Sequence, residues 1–483
     1  MFIIRYSELG LKGPKARSQM EKRLIANLSE KIRRRNLEAE IRKESGRIFL
    51  YTRSNPDDVS ECISTIFGVK SYSEAEETDF NTLNDIIMHA QEKFRGTVSG
   101  KKFVVRAKRF GNHPFTSMDV EREVGDALFQ YSCGVSIRNP DVRVFIEIRN
   151  KKVYYFDSIK YGPGGLPLGS QGKVTALMSG GIDSPVSTWM IMKRGCPADI
   201  IFVSLAHPVD TIQFTDQMSR FCDRWCNGYD PYIHIIDGSL IVQSLNDKQL
   251  FTYPNISFKK ILYRLAEKIC SNSGSYGIVT GESIGQVSSQ TVENLYSLSV
   301  SIKVPVLRPL LGMDKDEITV RCRDIGALPS ESLGEFCSIF ARHPITRIKP
   351  EQLDHDVVSD QMVNSIISTE TVIRGSEIKQ YHDRLVSDHS AGTVIESPDF
   401  IIDLRNKEDY NKWHYPGAIS LDFSELASFS SENPGKKYIL YCGKGLQSAA
   451  GAVMLSKLGN EAMFASTEYM KRLEHRKDHL NSS

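Results

Sequence analysis

The stretch Val174-Thr175-Ala176-Leu177-Met178 runs directly into Ser179-Gly180-Gly181-Ile182-Asp183-Ser184. It reads as a strand, a tight glycine turn and a helix start, the junction on which parallel α/β sheets are built. Such a turn presents several backbone N–H groups to a phosphate, with the Ser184 hydroxyl as an added donor. Ser-Gly-Gly alone is only a tight turn. Asp183 and Ser184 at the head of an apolar-patterned helix argue for more, because a carboxylate there is placed to organise magnesium or a bound substrate. The Walker A loop is excluded, since its lysine and spacing are absent.

A second anion cradle is Cys442-Gly443-Lys444-Gly445-Leu446-Gln447-Ser448, after the strand-like Lys437-Tyr438-Ile439-Leu440-Tyr441. Backbone N–H groups and a helix N-terminus lower a thiol pKa and stabilise a persulfide anion. Gly443 and Gly445 permit a tight loop, Lys444 adds positive charge, and Ser448 opens a helix over 449–458. A sulfur carrier of this kind requires an exposed Cys442. One site for nucleotide phosphate and one for reactive sulfur imply ATP-driven sulfur chemistry. The chain has nine cysteines, an odd and scattered set that makes a poor disulfide scaffold. Cys222 and Cys226 share a helix face, but no second pair completes a metal site. Read from its neighbours alone, Phe336-Cys337-Ser338 suggests a packed cysteine.

At 483 residues the chain has room for roughly three or four domains. Its 40% hydrophobic and 25% charged content is that of a soluble protein. With no signal core and no membrane-length apolar run, a cytoplasmic, non-membrane protein is expected. The pattern divides into 1–60, 61–165, 171–345, a polar connector at 346–385 and a last unit at 386–483. The Gly- and Pro-rich Tyr161–Pro167 marks one boundary. Strands and helices alternate through 171–345, as in a mostly parallel, doubly wound sheet. A net charge of +2 does not by itself call for a nucleic-acid partner. Yet Lys93, Arg95, Lys101, Lys102, Arg106, Lys108 and Arg109 follow one another without an acid between them. They are either a backbone-binding patch or a solvated surface balanced by Glu121 and Glu123. After the strand at 277–280, Gly281–Thr291 either lines the crevice at the strand ends or caps a helix. Lys315, in Leu307–Lys315, either meets phosphate or is a solvated helix-end lysine.

Tyr6–Gly13, Arg106–Val124, Ser179–Ser184, Gly281–Thr291 and Arg308–Lys315, in that order, resemble the landmarks of the tRNA 4-thiouridine synthetase family. The resemblance spans essentially the whole chain. It implies an α/β multidomain protein: a ferredoxin-like N-terminal region, a THUMP α/β domain, a doubly wound PP-loop ATP pyrophosphatase domain and a rhodanese-like α/β domain. Asp403-Leu404-Arg405 and His414–Ala418 also resemble rhodanese landmarks. By that resemblance Ser179, Gly180, Gly181, Asp183, Ser184, Gly281 and Gln290 hold ATP, and Asp183 and Lys315 are catalytic. His207 lies on the adenine side or is a buried structural histidine. Lys12, Arg95, Lys108, Arg109 and Arg122 are the candidates for tRNA phosphate. Cys337 becomes the redox partner of the Cys442 persulfide. Implied partners are tRNA, a cysteine desulfurase, a thiol reductant and a second copy of the chain, with Mg2+ expected and its ligands unassigned. The family also admits sulfur supply to the thiazole of thiamine, with a ThiS-like carrier protein as partner. A tRNA-binding adaptor with an inactive nucleotide fold is the non-enzymatic alternative.

Overall fold

The computed structural model describes the chain apart from residues 7, 45, 206–208, 246–250, 331–345, 354–357, 391–396, 444–445, 468, 472 and 475–483. Two compact units emerge: Met1–Ser170 with Lys193–Gly195, and Gln171–Met192 with Cys196–Ser483.

The first unit is built from two sheets. One runs Ala39–Glu44, Arg47–Thr52, Phe2–Arg5, Ser71–Glu74, Lys160–Tyr161, antiparallel throughout. It takes a strand from beyond residue 60 and another from beyond 156. The other runs Glu76–Asp79, Lys152–Phe156, Val142–Arg149, Phe103–Phe110, the last pair parallel. Strict alternation decides what each face meets. Phe2, Ile4, Ile48 and Leu50 pack with Leu24, Leu28 and Ile32 of the helix Pro14–Arg34. Ile3 and Phe49, pointing the other way, pack with Tyr154 and Phe156 of the second sheet. In Val142–Arg149, Val144, Ile146 and Ile148 join the core beneath the helices Leu83–Val98 and Ser117–Phe129. Both helices start where the sequence signals it, with capping boxes at Thr82/Asp85 and Thr116/Asp119. Val142–Arg149 and Lys152–Phe156 form a hairpin that turns at Asn150, whose φ of 51° lies in the left-handed region that asparagine tolerates.

In the second unit the larger sheet has the order Val306–Leu307, Ile278–Val279, Val174–Met178, Ala198–Ser204, Tyr232–Asp237, Thr371–Arg374. The first five are parallel, as the alternating pattern implies, and Thr371–Arg374 adds an antiparallel edge. That edge strand comes from the stretch read as a polar connector. Its pairing is long-range, and only the free edge of Tyr232–Asp237 reveals it. Successive strands step one way from Val174–Met178 and then the other way through Ile278–Val279. The order therefore reverses between those two strands, where parallel sheets place their ligands. A second, all-parallel sheet runs Ile419–Ser420, Phe400–Asp403, Lys437–Cys442, Glu461–Ser466. No helix among the described residues is long and apolar enough to cross a membrane.

Candidate functional site

The turn after Val174–Met178 sits at this reversal. Gly180 has φ +73°, which suits glycine, and the helix Asp183–Met192 follows. Ser184 is buried, and its Oγ accepts the Ser179 N–H at 3.1 Å, so the hydroxyl expected to face phosphate closes the turn from inside. Gly281 lies just past the end of the neighbouring strand Ile278–Val279. A Cβ there would stand 2.8 Å from Ser184 N and 2.9 Å from the Asp183 carbonyl carbon. Its absent side chain therefore lets the two loops meet backbone to backbone. Gly281→Ala must push the turn outward. We expect kcat/KM for ATP to fall about 100-fold, the scale of a displacement near 1 Å at reacting groups, measured by initial rates.

Three side chains converge on this turn. Lys315 Nζ donates to the Asp183 carboxylate at 3.1 and 3.2 Å, and Gln286 Nε2 donates to it at 3.0 Å. Lys315 begins a helix capped by Asp314 and remains about half exposed (47%), so its ammonium also faces solvent. Gln290 does not join them. Its Oε1 accepts the Ser283 N–H at 3.3 Å and its carbonyl the Gly285 N–H, bracing the loop that presents Gln286. His207 lies outside the described residues.

Beneath the loop, Glu282 is buried among Lys259 Nζ (3.0 Å), Arg308 Nε (2.8 Å), Thr280 Oγ1 (3.0 Å) and the Tyr263 hydroxyl. Burial pushes its carboxyl pKa up, but Lys259 and Arg308 outweigh this and hold it at about 2. The stabilisation is therefore complete above the ordinary glutamate range and is lost as pH falls through that range toward about 2. Glu282→Gln leaves two cations without their counter-charge and is expected to cost about 3–5 kcal/mol. Urea unfolding at pH 7 and pH 3 checks both: the gap between wild type and variant must narrow at the lower pH.

Sequence reasoning missed the part played at this turn by the helix Val209–Trp225. Gln213 Nε2 reaches the Gly180 carbonyl at 3.5 Å, and Gln217 Nε2 donates to the carbonyls of Gly181 (3.1 Å) and Ala327 (2.7 Å). Arg220 and Trp225 of the same helix hold the Leu328 and Ile325 carbonyls. The helix thus grips both the glycine turn and the chain entering residues 331–345. The signal available was two glutamines one helical turn apart, on the polar side of the helix. Cys337 falls within 331–345, outside the described residues. Cys222 on this helix and Cys226 just past its end are buried, and no group of three metal-ligating side chains occurs among the described residues.

Cys442 is the last residue of its strand, paired in register with Ser466. The expected exposed thiol is not found: Cys442 is 2% exposed, held between strands with the Ser448 Oγ 3.6 Å from Sγ. Ser448 also donates to the Ala465 carbonyl at 2.9 Å and sits inside the helix Leu446–Lys457, which starts earlier than 449. Gly443 is exposed. Lys444 and Gly445, and the side chains of Leu446 and Gln447, lie outside the described residues. The helix Leu446–Lys457 rests against Val209–Trp225, the helix that grips the glycine turn. Arg405 forks onto buried Asp403 at 2.6 and 2.9 Å, bracing the strand beside Cys442.

In the first unit Lys108 is exposed on Phe103–Phe110, and Arg109 bonds the Gly111 carbonyl at 3.0 Å. Arg95 and Lys12 are exposed. Arg122 is occupied by Glu123 at 3.0 Å and approached by Asp119.

Family models match along the chain: a ThiI ferredoxin-like domain over 1–73, a THUMP domain over 77–156, a thiamine biosynthesis protein (ThiI) over 169–361 and a rhodanese-like domain over 386–468. The tRNA sulfurtransferase of Thermoplasma acidophilum is 43% identical over 472 residues, covering 98% of this chain and 96% of that protein. That of Pyrobaculum aerophilum is 36% identical, with 95% of each covered. A solved structure of a 4-thiouridine synthetase–RNA complex with bound ATP superimposes with TM-score 0.67 at 28% identity, over 77% of this chain and 98% of that one. Fold and site together define a multidomain α/β enzyme in which a PP-loop sheet is followed by a rhodanese-like sheet. The chain belongs to the ThiI-type tRNA sulfurtransferase family, and the expected four-part architecture is borne out.

Proposed function

We propose that this protein is an ATP-dependent tRNA sulfurtransferase that converts uridine 8 of tRNA to 4-thiouridine. The observation that carries the reading is the meeting of Asp183, Lys315 and Gln286 at the glycine turn on the sheet's reversal point. The turn's N–H groups and Lys315 face the phosphates of ATP. Uridine O4 attacks the α-phosphorus and pyrophosphate leaves, while Lys315 stabilises the charge that develops. Asp183 aims that ammonium. It is also the carboxylate at the turn that would hold a magnesium ion, whose contribution is neutralisation of phosphate charge.

The terminal sulfur of a Cys442 persulfide, loaded by a cysteine desulfurase, attacks C4, and AMP leaves with the former O4. The thiolate of Cys337 then attacks Cys442 Sγ. A Cys337–Cys442 disulfide forms, the thiocarbonyl sulfur remains on the base, and a thiol reductant resets the pair. Release of the sulfur as sulfide near Cys337 is the alternative route to the same product. Cys442 must leave its buried position for either route. The reaction is placed in the cytoplasm, in a homodimer.

Purified protein with unmodified tRNA, ATP, magnesium, cysteine, a desulfurase and reductant tests the reading. 4-Thiouridine at position 8 is the expected product. Its absence, with Cys442 persulfide loading confirmed, overturns the assignment and moves sulfur transfer to the thiazole precursor, through a ThiS-like carrier, to the front.

A further inference from the structure

A phosphate cradle works only when its N–H groups point at the phosphate. In the turn after Val174–Met178 the N–H groups of Gly181 and Ile182 have no hydrogen-bond partner among the described residues. Glycine leaves such peptide units free to flip, since it has no side chain to oppose the change. Their facing must be set from elsewhere. A trans peptide unit is planar, and its C=O and the N–H that follows point in opposite directions. Whatever holds the carbonyl therefore aims the amide.

The helix Val209–Trp225 holds both carbonyls from inside. Gln217, 0% exposed, donates from Nε2 to the Gly181 carbonyl at 3.1 Å, which turns the Ile182 N–H away from the helix. Gln213, also buried, reaches the Gly180 carbonyl at 3.5 Å and does the same, at longer range, for the Gly181 N–H. Gln217 Nε2 also donates to the Ala327 carbonyl at 2.7 Å. Ala327 lies just past the helix Lys315–Asp324, whose first residue bonds Asp183. Both neighbours of this amide are carbonyl oxygens, so its NH2 end is the one that faces them. Its Oε1 is buried without a hydrogen-bond partner among the described residues. A side chain kept only to fill space would be better apolar, because an unmet buried acceptor destabilises the fold. What Gln217 supplies is two donors, aimed at the turn and at the chain that follows the Lys315 helix.

We propose that Gln217 is a positioning residue for the ATP-dependent step: by pinning the Gly181 carbonyl inward it fixes the Ile182 N–H, and with Gln213 the Gly181 N–H, toward the phosphates of ATP. It rests on the ATP reading above. Gln217 lies behind the turn, touches no substrate and acts through two peptide units. Its bond to Ala327 keys the turn to the helix that carries Lys315, so one side chain sets the amide donors against the ammonium. Gln217 is 36 and 110 residues from the two groups it bonds, which hides the role from any local pattern.

Gln217→Met keeps the length of the side chain and removes both donors. Arg220→Met is the control: it frees the Leu328 carbonyl from the same helix, and Arg220 makes no bond to the turn. Binding of ATP with magnesium, and of adenosine, to the full-length proteins is measured by calorimetry. Gln217→Met should bind ATP about 10- to 100-fold more weakly, the scale of one hydrogen bond to a charged group. Its adenosine affinity should stay within about threefold, because adenosine offers no phosphate to the turn. In tRNA-dependent pyrophosphate release, KM for ATP should rise in step while KM for tRNA is unchanged. Arg220→Met should bind both ligands like wild type. A second variant, Gln213→Met, should show a smaller loss of the same selectivity, and it keeps the test readable where Gln217→Met fails to fold. Equal losses of ATP and adenosine affinity, or the ATP loss repeated in Arg220→Met, overturn the proposal and make Gln217 a packing residue. Unchanged ATP affinity in the glutamine variants that fold overturns it as well. Wild type that binds ATP but forms no 4-thiouridine refutes the reaction assigned above and leaves this comparison standing, since ATP binding is read without tRNA. Wild type that binds no ATP overturns both.

Discussion

Cys442→Ser is expected to abolish 4-thiouridine formation, by more than about 1,000-fold, the scale on which loss of a covalent nucleophile is felt. ATP-dependent pyrophosphate release with tRNA should persist within a factor of about three, because the glycine turn, Asp183 and Lys315 are untouched. Serine nearly preserves the shape of cysteine, and the contacts around it are to backbone: the Ser448 hydroxyl also reaches the Ala465 carbonyl, and Thr467 Oγ1 donates to the Cys442 carbonyl at 3.1 Å. The Tm should therefore stay close to wild type. Mass spectrometry of the protein after incubation with desulfurase and cysteine checks the cause: one sulfur added to wild type at residue 442 and none to the variant. Sulfur transfer retained in the variant would place the terminal carrier elsewhere.

The second large effect is expected at the Asp183–Lys315 pair. Lys315→Ala should lower the rate of tRNA-dependent pyrophosphate release by about 100- to 1,000-fold, the usual cost of one preorganised charge on a developing oxyanion. Asp183→Asn should do the same. The double variant should be little worse than either single one, because the two act as a unit. Stability should barely change, since a pair with half-exposed Lys315 contributes little to folding. A near-wild-type rate in Lys315→Ala would confine that residue to a solvated helix end. Additive losses would separate the two roles.

Much of this site was readable from neighbouring residues. A strand that ends in two glycines and an acidic helix start specifies its turn through short-range sterics, and Ser179–Ser184 folds as that pattern implies. The turn at Asn150 and the alternation of strands and helices through 171–345 were legible for the same reason. Other features were not. Gln286 and Lys315 lie 103 and 132 residues from Asp183, and their convergence depends on strand order. Gln217 reads as a surface position on an amphipathic helix, yet it is wholly buried because that helix packs beneath the turn. Ser184 was expected to face phosphate and points inward. Cys442 was expected to be exposed and is enclosed, because the end of a strand in the middle of a parallel sheet is covered by its neighbours.

From sequence alone came the order of domains, the glycine turn and its carboxylate, the cysteine before a helix, and the class of chemistry that combination serves. These are encoded within a few residues of one another, where backbone sterics and hydrogen-bonding chemistry act. Tertiary structure alone decided that Gln286 and Lys315 meet Asp183, and that one helix holds both the turn and the chain leading to Cys337. Such meetings follow from which strand lies beside which, and strand order is settled by burial of whole faces rather than by any local run of residues.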